Sequence, residues 1–195
     1  KNYQMGEQLA QALTKRGWFY QLWSDTIETG LLRAERYQAN EQFTIGERYT
    51  RRDAVRLINN PYDMNGQLVS GYHFTSEETG LKEAIIFVTY KKAKNIRKEI
   101  NYNNRFINDH VLHYYTKNSD IKLDSVNVVK FMGGEYKLRL FVQKSGAIDE
   151  TKFYYLGTCR YLNNSVQKET QDGVPRLAMD LLLDHPVEHN RYHTF

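Results

Sequence analysis

A cationic run followed by aromatic rings and amides is the stretch best suited to bind a charged, flat ligand. Residues 91–98 hold five lysine or arginine side chains, directly after an apolar, β-branched run at 85–90. Such cations contact phosphate oxygens, and these contacts position a nucleic acid without reading its sequence. A solvated loop that only keeps the protein soluble would have the same composition. The charges alone leave both interpretations open.

A second group of cations lies at the start of a predicted helix. Free N–H groups and the positive end of the helix dipole favour an anion there. A solvated helix face with ion pairs to Asp53 or Glu47 is the alternative. The candidate phosphate ligands from both groups, with one further lysine, are Arg51, Arg52, Lys91, Lys92, Lys94, Arg97 and Lys117.

The rings and amides that follow the cationic run could form a slot for a base that leaves the duplex. Such a slot needs aromatic faces for stacking and fixed donors and acceptors for the edge of the base. Most aromatic residues in β-rich domains belong instead to the core or its rim, which is the competing interpretation. The candidate pocket residues are Tyr90, Tyr102, Asn103, Asn104, Phe106 and Tyr115.

A nuclease site is the main enzymatic alternative. Asp120 or Asp124 is followed by Glu135 and Lys137, and an Asp with a later Glu-x-Lys is the Mg²⁺-binding pattern of many restriction nucleases. The pattern is short and frequent by chance. No Walker A sequence is present, so any ATP hydrolysis must reside elsewhere. We therefore expect no catalytic residue, no metal and no cofactor in this domain, with a protein-docking module as a further alternative.

The composition is that of a folded domain. Of the 195 residues 41% are apolar and 13% are aromatic, which excludes a disordered chain. The net charge of +4 permits nucleic-acid binding without requiring it. The single cysteine, Cys159, cannot form an internal disulfide and fits a cytoplasmic location. No apolar run is long enough to span a membrane. Because the sequence does not begin with Met, we expect a piece of a larger protein.

The periodicities predict helices first and strands later. Residues 1–40 have helical spacing, with Gly17 ending one helix and Ser24 or Asp25 capping the next. Thr50 and Asp53 resemble a capping box for a third helix. Short strands separated by turn signals predict a barrel or a strongly bent sheet. The predicted strands are 68–74, 84–90, 111–116, 126–131, 137–143, 153–160 and 176–183.

Six sequence blocks in order resemble a known family. They are IGERYTRRDAVRLIN, SGYHF, IIFVTYKKAKNI, YNNRFIN, LRLFVQKSG and KFYYLGTCRY. Together they resemble the C-terminal domain of unknown function of bacterial superfamily-two helicases, many of which begin with a phospholipase-D-like nuclease domain. A more distant resemblance is to SRA-type readers of modified cytosine. The resemblance covers the chain from residue 43 to its C-terminus.

This resemblance implies a fold and a function. In type IV restriction enzymes that carry such a domain, the domain recognises methylated or hydroxymethylated cytosine. We expect an α+β fold, mainly β, as a bent sheet or SRA/PUA-like β-barrel with flanking helices and a helical N-terminal extension. Residues 1–42 would be a helical lead-in or linker from an upstream helicase, and 43–195 the modified-DNA-recognition domain. The expected partner is double-stranded DNA carrying a modified base, foremost 5-methylcytosine, which the domain would read by base flipping. Helicase and nuclease domains upstream in the same chain are further expected partners. No membrane partner is expected.

One departure from the family leaves the base open. Relatives usually have Tyr-Glu-Asp where this chain has Tyr102, Asn103 and Asn104. A carboxylate accepts a hydrogen bond from the amino group of cytosine. An asparagine offers both a donor and an acceptor, and pairs as readily with adenine.

Overall fold

The computed structural model describes residues 5–58, 71–75, 80–90, 102–117, 119–144, 151–171 and 173–192. The chain divides into two compact units, Lys1–Glu41 and Gln42–Phe195.

The first unit consists of two helices, α1 (Glu7–Thr14) and α2 (Trp18–Ala34), as the spacing predicts. The predicted start of the second helix at Ser24 or Asp25 is wrong. Gly17, in an extended conformation, is the N-cap residue of α2, so the helix begins almost two turns earlier. Neither helix contains a buried residue. In the described parts of the chain, no helix combines the length and hydropathy needed to cross a bilayer.

In the second unit, the described residues form a nine-stranded mixed sheet. Its main order is β2-β3-β6-β7-β9-β5-β4, with β1 paired to β7 and β8 paired to β9. Only β3 and β6 run parallel among the described pairs. The strands are β1 (Arg48–Thr50), β2 (Tyr72–Phe74), β3 (Glu83–Tyr90), β4 (Arg105–Phe106), β5 (Val111–Tyr115), β6 (Lys137–Lys144), β7 (Lys152–Tyr161), β8 (Gln167–Gln171) and β9 (Val174–Leu183). The helices are α3 (Arg51–Leu57), α4 (Val126–Met132) and α5 (His189–Tyr192).

This architecture confirms the predicted α+β class, mainly β, with an open, bent sheet and flanking helices. A register shift between Leu140 and Phe141 of β6 interrupts its pairing with β7. Opposite the shift lies Gly157, whose φ of +100° is open to glycine but strained for other residues. Such irregularities bend a strand and increase its twist.

Both faces of the central strands are buried, because side chains alternate along each strand. Leu140 and Leu156 belong to a cluster on one face, here called the first core cluster, together with Phe131 of α4. Phe141 and Phe153 belong to a cluster on the other face, here called the second core cluster, with α3 packed on it. The strands that carry the candidate site are packed into these two clusters.

Helix α3 begins as its sequence predicts. The Oγ1 atom of Thr50 accepts a hydrogen bond from the N–H of Asp53 at 3.1 Å, and the Thr50 hydroxyl donates to the Asp53 carboxylate at 2.7 Å. A cap of this kind stabilises a helix by about 1 kcal/mol. Ala54 and Val55 of this helix are buried.

The predicted strand at 126–131 is wrong, because this segment is helix α4. Val128 and Phe131 are buried, whereas Val126 and Val129 are 70% and 54% exposed. That spacing of three fits one face of a helix and not the alternation of a strand. The β-branched residues favour a strand locally, but burial of Phe131 in the core decides the structure.

Candidate nucleic-acid interface

Residues 102–104, here called the 102–104 segment, are attached to neighbouring strands by side-chain contacts. The ring of Tyr102 lies on the guanidinium of Arg176 in β9, with 4.5 Å between the Arg176 Cζ atom and the ring centroid. Arg176 is only 3% exposed, and Tyr102 is half-buried. A guanidinium stacks on an aromatic face and stabilises it electrostatically. The ring is therefore held from one side by a buried cation.

The two asparagines of the segment differ in burial and in bonding. Asn103 is exposed, and its backbone N–H donates to Oε1 of Gln171 in β8 at 3.2 Å. Asn104 is 8% exposed, and its Oδ1 accepts from the backbone N–H of Tyr115 in β5 at 2.9 Å. The segment is thus fixed to β5 and β8 as well as to β9. Asn104 satisfies a buried donor, whereas among the described residues only the backbone of Asn103 makes a hydrogen bond.

The backbone of Tyr115 bonds to the 102–104 segment, whereas its side chain contacts His113 and Glu169. Its hydroxyl donates to Oε2 of Glu169 at 2.5 Å, and its ring lies 5.1 Å from that of His113. Burial, followed by the hydrogen bond to Glu169, raises the pKa of Tyr115. The residue is 4% exposed, which leaves little of its ring for a ligand.

Tyr90 and Phe106 form a separate aromatic row with Tyr192 of α5. The Tyr90 and Phe106 ring centroids are 5.9 Å apart, as are those of Phe106 and Tyr192. All three rings are partly buried against the first core cluster. The structure therefore brings together Tyr90 with Phe106, and separately the 102–104 segment with the backbone of Tyr115.

Arg51 lies against the core, whereas Arg52 is exposed. The Arg51 Cζ atom is 4.8 Å from the ring centroid of Phe153 and 5.7 Å from that of Phe87. Burial lowers the pKa of Arg51. Its guanidinium covers the second core cluster, so Arg52 is the better placed of the two to meet an anion. The candidates Lys91, Lys92, Lys94 and Arg97 lie outside the described residues.

Lys117 is bound to β2. Its ammonium donates to the carbonyl oxygen of Tyr72 at 3.0 Å and lies 4.3 Å from the centroid of the Tyr72 ring. Burial lowers the pKa of Lys117. Burial, and then the charge of Lys117, lower the pKa of His73 on the same strand. Lys117 thus has a structural role on β2, and its role as a phosphate ligand stays a prediction.

Two carboxylates of the nuclease alternative, Asp120 and Glu135, bind other side chains of the protein. Asp120 is buried and accepts hydrogen bonds from the hydroxyl of Tyr72 and, at 3.2 Å, from Nδ2 of Asn127. Glu135 is exposed and forms an ion pair with Lys82. Among the residues that the structure describes, no group of three His, Cys, Asp or Glu side chains could hold a metal. The described geometry adds no support to a nuclease site at Asp124, Glu135 and Lys137.

A buried histidine between two carboxylates is a feature that the sequence does not reveal. Nδ1 of His113 lies 2.7 Å from Oδ1 of Asp180, and its Nε2 lies 3.3 Å from Oε1 of Glu169, outside hydrogen-bond geometry. The three residues lie on β5, β9 and β8, so only the strand pairing brings them together. They join the same three strands that hold the 102–104 segment.

Comparison with solved structures finds distant likenesses. The SRA domain of SUVH5 in complex with fully methylated CG DNA has a TM-score of 0.46 and 14% identity, covering 73% of this chain and 90% of that chain. The MspJI restriction endonuclease with a 27-mer oligonucleotide has a TM-score of 0.46 and 14% identity, covering 72% and 42%. Arabidopsis thaliana SUVH6 in complex with SAM has a TM-score of 0.44 and 14% identity, covering 82% and 31%.

Comparison of the sequence with known proteins identifies a family. Among curated protein sequences, no significant match is found. The family described as a domain of unknown function, DUF3427, matches residues 43–195, which is most of the chain. The chain therefore belongs to the DUF3427 family.

Proposed function

We propose that residues 43–195 recognise DNA that carries a modified base, foremost 5-methylcytosine, by binding the base after it has swung out of the duplex. The observation that carries this proposal is the 102–104 segment. It holds an aromatic ring on a buried guanidinium next to an exposed amide. A base-reading slot needs an aromatic face beside a hydrogen-bonding group. The six sequence blocks resemble the helicase-attached domain that recognises modified cytosine in type IV restriction enzymes, and this resemblance supports the same function.

In the proposed mechanism, different residues bind the DNA backbone and the extruded base. Arg52, with the sequence-predicted cations Lys91, Lys92, Lys94 and Arg97, holds phosphates. The extruded base stacks on Tyr102, an interaction worth about 1–3 kcal/mol. Asn103 then contacts the edge of the base. A recess for one added methyl group contributes a further ~1–3 kcal/mol of discrimination.

We place the domain in a modification-dependent, type IV-like restriction enzyme, as in SauUSI, with helicase and nuclease parts upstream in the same chain. The domain itself would need neither a cofactor nor a catalytic group. This part of the proposal rests on the sequence resemblance. Incubating the chain with modified DNA and Mg²⁺ tests it: no cleavage is expected, and cleavage that Glu135→Ala abolishes would overturn the assignment.

Equilibrium binding to three duplexes tests the recognition itself. They share one sequence and carry cytosine, 5-methylcytosine or, at a neighbouring position, N6-methyladenine. At one fixed salt concentration, fluorescence anisotropy should give at least roughly tenfold tighter binding to one modified duplex, because a recess for the added methyl group is worth ~1–3 kcal/mol. Equal dissociation constants for all three duplexes would end the proposal.

A salt series tests the phosphate contacts separately. Each contact to a phosphate contributes about 0.9 to the slope of log K against log salt concentration. Lys91→Gln with Lys92→Gln should therefore reduce the slope by about 2 if both residues bind phosphate. The ratio between plain and modified DNA should stay unchanged, because phosphate contacts do not read the base. An unchanged slope would remove both lysines from the interface.

A further inference from the structure

We infer that the two adjacent asparagines have separate roles: Asn103 reads the edge of the extruded base, Asn104 holds the backbone, and Arg176 positions the ring of Tyr102. This inference rests on the proposed function and deepens it. It assigns base specificity to one side chain of the segment.

Asn104 is already committed to the fold. Its Oδ1 accepts from the N–H of Tyr115 at 2.9 Å, and the residue is 8% exposed. Turning this amide toward a base would leave the buried N–H of Tyr115 without a partner, which is costly. Asn104 is therefore a structural residue within the segment.

Asn103 has the complementary properties. Its backbone is fixed by the bond to Gln171 at 3.2 Å, while its side chain is exposed. Within the part of the chain that the structure describes, its side-chain amide makes no hydrogen bond. The amide carries one acceptor and one donor group, which can meet an amino group and a neighbouring ring nitrogen of a base. A fixed backbone with an uncommitted amide is what edge reading requires.

Arg176 acts through Tyr102. It is 3% exposed in β9, where Glu169 of β8 is its register partner, and its guanidinium lies 4.5 Å from the Tyr102 ring centroid. A planar guanidinium stacks on a ring, whereas the ammonium of lysine is a point charge and does not. Arg176 is a positioning residue that sets the plane on which the base stacks.

The edge-reading role predicts a change in selectivity that a structural role would not produce. 5-Methylcytosine and thymine share the 5-methyl group and differ in the amino or carbonyl group at the edge. An asparagine amide can turn to match either edge, but aspartate only accepts. At position 4, 5-methylcytosine offers the aspartate a donor, whereas thymine presents a carbonyl oxygen that repels it. Asn103→Asp should therefore raise the ratio of Kd for thymine to Kd for 5-methylcytosine at least about fivefold above that of wild type.

The experiment uses the whole chain and one duplex that presents 5-methylcytosine or thymine opposite an abasic site, so that no pairing cost differs between them. Asn103→Ala is measured beside Asn103→Asp, and Arg176→Lys should lower the ratio of Kd for plain DNA to Kd for modified DNA several-fold. Thermal unfolding checks that each variant folds.

The outcomes separate the two proposals. If wild type does not distinguish modified from plain DNA, the proposed function fails. If wild type distinguishes them and Asn103→Asp leaves the thymine-to-5-methylcytosine ratio unchanged, the proposed function stands and the role of Asn103 is overturned. If Arg176→Lys weakens binding to plain and modified DNA equally, Arg176 is not a positioning residue for base recognition.

Discussion

Asn104 provides a direct test of how the 102–104 segment is held. Asn104→Ala leaves the buried N–H of Tyr115 without its acceptor. An unsatisfied buried donor costs about 1–3 kcal/mol, so the free energy of unfolding should fall by that amount. Asn103→Ala is the matched control, because this side chain is exposed, and it should change stability by no more than about 0.5 kcal/mol. Urea denaturation measures both; equal losses would contradict the separate roles of the two residues.

His73 gives the protein a pH-dependent stability of known sign. Burial, followed by the charge of Lys117, lowers its pKa in the folded state. The unfolded chain therefore binds a proton at a higher pH than the folded protein does, and stability falls as the pH drops from about 7 toward about 5. His73→Gln should flatten this dependence. Lys117→Met should flatten it in part, because one of the two causes is removed.

Urea denaturation at several pH values between these limits measures the dependence. The comparison is made between wild type and each variant, so the other histidines contribute to both sides. The same pH dependence in wild type and in His73→Gln would contradict the assigned cause.

At the level of elements, α4 shows how packing overrides local preference. Phe131→Ala should cost about 3–5 kcal/mol, because the ring is fully buried in the first core cluster. Val129→Ala should change stability by about 0.5 kcal/mol or less, because Val129 lies on the exposed face. In a strand the two residues would share a face, and both substitutions would be costly. Similar losses for both variants, measured by urea denaturation, would contradict the helix.

The strands differ in how well their sequences predict them. The strands that became β3, β5, β6, β7 and β9 are apolar or alternating, and their predicted positions are confirmed within about two residues. Strand β8, Gln167–Gln171, has no apolar residue and, among the described strands, pairs with β9 alone, so no periodicity marks it. Strand β4 has only two residues. Hydrophobic patterning reports burial, so it cannot mark β8, which buries no apolar side chain, and β4 is too short to show a pattern.

The candidate site was predictable in its parts and not in its arrangement. Ring and amide types pointed to the 102–104 segment, but nothing in the sequence distinguishes Asn103 from Asn104. Their difference arises from the partners Gln171 and Tyr115, which are 68 and 11 residues away. Arg176 beneath Tyr102 was likewise missed, because only the position of β9 brings the two together.

For the whole molecule, the second unit should fold without the first. All residues of both core clusters lie within Gln42–Phe195. A fragment of this unit should therefore unfold in urea in one cooperative transition, as small single domains do. Circular dichroism and tyrosine fluorescence should give the same midpoint. Non-coincident curves, or no transition, would show that the core depends on other parts of the chain.

The central claim, that the Tyr102 platform reads a modified base, is tested most directly by one ratio. This is Kd for plain DNA divided by Kd for modified DNA, measured at one salt concentration for wild type and for Tyr102→Ala. We expect a ratio of about ten or more for wild type and near one for the variant. Without the Tyr102 ring the base is no longer held in front of Asn103 and the methyl recess, so only phosphate contacts, which do not read the base, remain. Binding of plain DNA should not change. A Tyr102→Ala variant that retains the wild-type ratio would contradict the account.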